Sequence, residues 1–250
     1  PELERWVLDR LWRINLSLHR TCDDFQFHTF FAELHNFCTV DLSAFYLDIR
    51  KDSLYCDRID SYGRRATRTV LDEIFNCLTA WLAPFICFTA EEAWLERNGN
   101  NDSNSVHLRT FPKISETWRN DELMQKWDRI RAVRRTVTGA LELGRAEKHF
   151  GSSLQGAPII YTNEKTANLF SNLNAAEIFI TSGAQFDTMS PPPADAFRID
   201  EIPDVAVTPI LASGKKCERC YQVLTEVGSI EAHPTVCKRC ADAADHFQPI

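Results

Sequence analysis

Cys217-Glu-Arg-Cys220 and Cys237-Lys-Arg-Cys240 form two Cys-x2-Cys pairs with sixteen residues between them. Thiolate is a soft ligand, and four of them in a tetrahedron suit zinc. A two-residue spacer lets both sulfurs of a pair reach one ion from a tight turn, and the spacing between the pairs falls in the range of zinc sites. The alternatives are two disulfides, or four reduced cysteines near each other by accident. Four thiolates leave no open coordination position, so the expected Zn(II) is structural rather than catalytic. The segment is too short to hold much apolar core. The metal would supply most of its folding free energy, about 10–16 kcal/mol in comparable small sites. His233 lies inside the segment but is expected to stay outside the ligand set, because four sulfurs already suffice.

Charged residues crowd the same segment. Four thiolates and one Zn(II) sum to a charge of about −2, and Lys215, Lys216, Arg219, Lys238 and Arg239 surround them, with Tyr221 directly after the second cysteine. These cations either offset the cluster or face a phosphate backbone, and the sequence leaves both open. Two further basic patches stand out. Arg64, Arg65 and Arg68 fall on one arc near a predicted helix start. Arg131, Arg134 and Arg135 form a ridge on a helix that carries seven Lys/Arg against three acids from Leu123 to Lys148. Most such runs are solvated surface, and the neighbouring Trp118 and Trp127 are either core or stacking platforms for an unpaired base. Catalytic motifs are missing: the sequence has no Gly-x4-Gly-Lys-Ser/Thr, Gly-x-Gly-x-x-Gly, His-Glu-x-x-His or Gly-x-Ser-x-Gly. The acids Asp72, Glu73, Glu91 and Glu92 read as capping and solvated residues.

The elements that must carry these groups follow from periodicity. Leu3, Trp6, Val7, Leu11, Ile14 and Leu18 predict one amphipathic helix. Asp23 or Asp24 is expected to cap the next, whose stripe from Phe27 to Ile49 spans about seven turns. Residues 51–60 break the period, and Ser61 opens a third helix that Pro84 ends. Thr89-Ala-Glu-Glu92 fits a capping box, residues 98–105 read as a loop, and a last long helix covers 121–148 with Leu123, Ile130, Val133, Val137, Ala140 and Leu141 inward. Beyond it the character changes. APIIYT reads as a strand, EKTANLFSNL as a short helix, AAEIFITS as a second strand, and 197–212 as extended chain. The expected fold is mainly α: a helix bundle over 1–148, a small α/β piece over 149–212 and a four-cysteine zinc ribbon over 213–250.

Composition bounds the rest. The 250 residues carry a net charge of −7, so nucleic-acid binding has to rest on local patches. No apolar run is long enough to span a membrane, and PELERWVLDR does not read as a secretory signal. Of the nine cysteines, Cys22, Cys38, Cys56, Cys77 and Cys87 lie in helical stretches as free thiols. That pattern suits a reducing compartment, the cytoplasm.

Residues 44–57 (AFYLDIRKDSLYCD) and 64–95 (RRATRTVLDEIFNCLTAWLAPFICFTAEEAWL) resemble the anticodon-binding helical domain of bacterial-type isoleucyl-tRNA synthetases. ITSGA at 180–184 looks like the family's junction domain, and GKKCERCY with CKRC resembles its terminal zinc ribbon. The helical motifs alone are similar to the valyl, leucyl and methionyl relatives as well, and the ribbon singles out the isoleucyl member. The resemblance implies a fragment. The family joins isoleucine to its tRNA with ATP and Mg(II) on a domain whose His-x-Gly-His and Lys-Met-Ser-Lys-Ser motifs are absent here. No catalytic residue is carried over. The implied role is recognition of the anticodon stem and loop of isoleucine tRNA by a cytoplasmic monomer. A tryptophan often follows the second ribbon cysteine in that family, where Tyr221 stands here.

A competing resemblance starts from Pro1-Glu2-Leu3. DNA glycosylases that excise oxidised purines begin this way, attack with the proline amine and end in a similar finger. They open on a β-sandwich, however, whereas here an amphipathic helix follows Pro1, and residue 5 is Arg in place of their acid. A helical interaction module that binds no tRNA is a third option.

Overall fold

The computed structural model describes residues 1–99 and 103–247. The expected loop at 98–105 therefore lies partly, and the end of the 213–250 segment at 248–250, outside the described residues. The order is helical first: α1 (Glu2–Asp23), α2 (Phe27–Asn36), a π-helical stretch (Phe37–Leu47), α3 (Asp48–Cys56), α4 (Tyr62–Leu82), α5 (Cys87–Asn98) and α6 (Asp121–Ala146). Then come β1 (Ile159–Tyr161), α7 (Glu164–Asn168), α8 (Ala175–Phe179), β2 (Gln185–Asp187), β3 (Phe197–Arg198), β4 (Ala206–Thr208), β5 (Lys215–Lys216), β6 (Val223–Leu224) and α9 (Lys238–Asp245). The fold is mainly α, as expected. The chain packs as two compact units, 1–50 with 60–123 and 51–59 with 124–250. The segments 1–148, 149–212 and 213–250 follow chain order instead.

In the first unit, every residue of the predicted α1 stripe is buried, and α1 packs against α2 and α4. Each such Leu, Val or Ile contributes about 1.5–3 kcal/mol on burial. The long stripe after Phe27 stays helical but changes pitch. Across 37–47 the π-helical stretch turns Phe37, Asp41, Leu42, Phe45 and Tyr46 inward. Among the described residues, three carboxylates are buried in this unit, and each has a cation or donor. Glu4 accepts both Nε and Nη2 of Arg50 (2.6 and 2.8 Å) and the Thr67 hydroxyl at 3.1 Å. Asp9 accepts from Arg13 and from the Asn120 amide, both at 2.6 Å, and Asp41 accepts from Arg10 at 2.9 Å. Removing one partner of such a pair costs about 3–5 kcal/mol, because the other charge stays buried.

Four local expectations are corrected. Neither Asp23 nor Asp24 caps α2: α1 runs on through Asp23, Gln26 stands at the cap position, and the turn is made by Phe25 at φ 56°. The period does not break at Lys51, since the helix continues to Cys56. Thr89 caps nothing: α5 already begins at Cys87, and the Glu91 carboxylate accepts the Val106 amide at 2.7 Å instead. AAEIFITS is not a strand. The Asn174 side chain accepts the Glu177 amide at 3.3 Å and starts α8, which ends on Ile180 in the left-handed region. Capping there outweighs the β-branched run, and the strand comes later, at β2.

The predicted stripe of α6 is buried throughout, Leu123 in the first unit and Ile130, Val133, Val137, Ala140 and Leu141 in the second, where Trp127 is core at 1% exposure. The sheet order is β2-β1-β4-β3, with β1 parallel to β2 and the other pairs antiparallel. Gly139 lets α6 approach this sheet, since a Cβ there would sit 2.7 Å from the Phe197 ring. The basic edge of α6 is tied down in part. Arg129 pairs with Asp204 at 2.5 Å, and Arg134 Nε donates to the Ile178 carbonyl at 2.9 Å.

Candidate metal centre and nucleic-acid interface

β5 and β6 form a two-stranded antiparallel ribbon, pairing Lys215 with Leu224 and Lys216 with Val223. Gly214 is required beside it: φ is 122°, and a Cβ would meet the Leu224 carbonyl at 2.3 Å. At the ribbon's tip the chain turns sharply. The Tyr221 amide donates to the Cys217 carbonyl at 2.9 Å and the Cys217 amide to the Gln222 carbonyl at 2.8 Å, with Tyr221 in the left-handed region. The second pair sits at the start of α9, where the Ala241 amide donates to the Cys237 carbonyl at 2.9 Å.

These turns bring the sulfurs of Cys217, Cys220, Cys237 and Cys240 within 4.8 Å of one another, all four residues buried. A tetrahedron with metal–sulfur bonds of about 2.3 Å has edges of about 3.8 Å. The Cys220 and Cys237 sulfurs stand 3.8 Å apart. The Cys237 amide donates to the Cys217 sulfur at 3.3 Å, a hydrogen bond that favours thiolate. As a bare thiol Cys220 resists ionisation: hydrogen bonding with Cys240, then burial, push it up to about 12. A divalent cation supplies the charge that reverses this. The residues therefore fit a closed four-thiolate metal site. His233 lies outside it, with Nε2 2.7 Å from Asp245 Oδ1.

The surrounding cations divide. Lys215, Lys216 and Lys238 are exposed, and Lys216 Nζ lies 4.8 Å from the centroid of the exposed Tyr221 ring. Arg219 and Arg239 turn instead toward residues 51–59 of the same unit. Arg219 Nη2 donates to the Tyr55 carbonyl at 3.0 Å and Nη1 to the Cys56 carbonyl, so its guanidinium caps the last turn of α3. Arg239 binds Asp52 through both Nη atoms, at 2.5 and 3.0 Å, and reaches Asp57 at 3.1 Å. Arg58 and Asp242 add a pair at 3.5 Å. Cys56 is buried in the cysteine cluster itself, its sulfur 3.8 Å from the Arg219 carbonyl oxygen. A hydrogen bond with Cys240 holds the Cys56 thiol below its ordinary value. In the sequence Cys56 is one of the scattered thiols, and no spacing signal links it to a cluster more than 160 residues away.

Of the other predicted residues, Arg65 and Arg68 are exposed on α4 and line a cleft with Arg97 of α5. Arg64 is half-buried and lies outside that lining. Arg135 is exposed on α6, while Arg131 and Arg134 are half-buried. Arg97 carried no sequence signal, being a lone arginine near the end of a helix.

The described residues thus combine a mostly helical fold, a closed four-cysteine cluster, and arginines divided between exposed helix faces and the chain's own backbone. Residues 4–160 match the family described as the anticodon-binding domain of tRNA ligase, and the chain belongs to that family. Residues 214–243 match the zinc finger found in FPG and IleRS. The chain is 45% identical to the isoleucine–tRNA ligase of Bartonella henselae over 249 residues, 99% of the chain and 25% of the relative. It is 47% identical to that of Ruegeria pomeroyi over 245 residues (98% and 25%), and 42% identical to that of Caulobacter vibrioides over 248 residues (99% and 25%). The chain thus spans about a quarter of the length of the curated relatives it matches. The finger is shared by two families, so the helical match decides between them. It disfavours the proline-nucleophile alternative, as does α1, which starts at Glu2 where that alternative needs a β-sandwich. No helix among the described residues is long and apolar enough to cross a membrane.

Proposed function

We propose that this chain is the tRNA-holding part of an isoleucine–tRNA ligase. The observation that carries this is the order of features along one chain: an anticodon-binding domain match over 4–160 followed by a four-cysteine finger over 214–243. The bundle takes the anticodon stem and loop of isoleucine tRNA, whose unpaired bases are where RNA sequence is readable. Cys217, Cys220, Cys237 and Cys240 hold one structural Zn(II). Arg64, Arg65, Arg68, Arg131, Arg134, Arg135, Lys215, Lys216 and Lys238 supply positive charge toward phosphates, and Tyr221 offers a ring. Arg219 and Arg239 serve by fixing residues 51–59. ATP, Mg(II) and aminoacyl transfer belong to a catalytic region that this chain does not contain. The bundle, the α/β piece and the ribbon keep the borders 1–148, 149–212 and 213–250, and the whole acts as a cytoplasmic monomer.

The test is filter binding of the zinc-loaded chain to isoleucine tRNA and valine tRNA across a salt series, with metal analysis alongside. One zinc per chain and a preference for isoleucine tRNA are expected. Absence of tRNA binding even at low ionic strength overturns the proposal.

A further inference from the structure

The first unit carries a cleft of about 490 Å³ between α4 and α5, lined by Arg65, Arg68, Thr69, Leu71, Asp72 and Arg97. Three guanidinium groups face one carboxylate there, in a chain whose net charge is −7. Arg65 and Arg68 stand about one turn apart, both exposed, with no side-chain partner among the described residues. Like charges at that spacing weaken a helix, and the lining carboxylate one turn on, Asp72, is engaged by Arg97. The third arginine is held from two sides. Asp72 pairs with Arg97, and the Arg97 guanidinium lies 4.8 Å from the centroid of the Phe75 ring. Both members of the Asp72–Arg97 pair are about half exposed, at 53% and 48%, so the pair is weak and open to exchange.

The lining also limits what the cleft accepts. Thr69 donates its hydroxyl to the Arg65 carbonyl at 3.1 Å, which leaves the arginines as the donors. Leu71 is the one purely apolar residue among the described lining residues, and the nearby Phe75 ring is already engaged by Arg97. Among the described lining residues there is no aromatic platform and no glycine for a base or a free nucleotide. Planar guanidinium forks match a tetrahedral oxyanion bidentately, and a cleft with walls of one charge focuses the field on it.

We propose that this cleft seats one backbone phosphate of the bound RNA. Arg65 and Arg68 grip it, and Arg97 exchanges Asp72 for the phosphate. The proposal rests on the tRNA-holding function and adds a defined phosphate subsite to it.

The experiment uses the zinc-loaded chain with isoleucine tRNA, measuring affinity against salt. Arg65→Gln with Arg68→Gln is expected to weaken binding at least tenfold at low salt. The slope of log K against log salt should become shallower by about 0.7–0.9 per arginine lost. Arg97→Gln should weaken binding less. Asp72→Asn, an isosteric change that cannot disturb packing at an exposed position, should tighten it severalfold. Wild-type binding with unchanged affinity and slope in these variants overturns the cleft and spares the tRNA-holding function. A wild-type chain that binds no tRNA overturns both. If the double arginine variant unfolds, Asp72→Asn still decides: no gain in affinity overturns the cleft.

Discussion

Arg239 and Asp52 lie 187 residues apart in sequence and meet through two parallel hydrogen bonds, Nη1 to Oδ2 at 2.5 Å and Nη2 to Oδ1 at 3.0 Å. Arg239 sits between two ribbon cysteines in sequence, and Asp52 lies on α3. The pair therefore ties the metal-binding end of the chain to a short helical segment of the same unit. Each side chain is about a third exposed, at 35% and 32%, so solvent discounts its strength. A double-mutant cycle with Arg239→Ala and Asp52→Ala should give a coupling of about 1–2 kcal/mol in chemical denaturation. A coupling below about 0.5 kcal/mol would make the contact incidental.

Metal removal should reach beyond the ribbon. Cys56 is buried among the four ligand cysteines, and Arg219, between Cys217 and Cys220, holds the carbonyls of Tyr55 and Cys56. A small cysteine segment without its metal loses most of its folding free energy, so Arg219 and Arg239 lose their fixed positions. Chelation, or Cys237→Ser, is expected to abolish hydrogen-exchange protection over 213–247 and to lower it over 51–59, while α1 keeps its own. Loss confined to the ribbon would show that the segment holds its conformation without the ribbon's help.

The sequence shows α1 and α6 clearly because each buries a stripe at a 3.6-residue period, and it shows the metal centre because each Cys-x2-Cys pair is a local object. Other features lie outside that logic. The π-helical stretch at 37–47 keeps an apolar pattern that looks α-helical, so its pitch was invisible. One cap, Asn174, reversed the reading of AAEIFITS. The roles of Cys56, Arg219 and Arg239 depend on partners more than 160 residues away, which no window of spacing contains. Arg65 and Arg68 were legible as charge. Their cleft was not, since it needs Arg97 from another helix.

Alkaline pH should weaken the first unit through one thiol. Cys77 on α4 is fully buried, and burial, then the nearby Glu73 charge, push its thiol from an ordinary 9.0 up to about 12. The group is an acid whose folded pKa is raised. Between those two values the unfolded chain has released the proton and the folded chain keeps it. The folded state then binds more protons, so stability falls as pH rises. The stability is intact below about 9 and declines toward 12, with a limiting slope for one proton of about 1.4 kcal/mol per pH unit. Lysines, tyrosines and the other cysteines titrate in the same range, so the informative quantity is a difference. Unfolding free energies of the zinc-loaded chain and of Cys77→Ala, measured by denaturant from pH 8 to 10.5, should run parallel below 9 and converge above it. The alanine variant starts lower, because it leaves a small cavity, and loses less with pH. Curves that stay parallel throughout would mean that Cys77 ionises in the folded chain as readily as in the unfolded one.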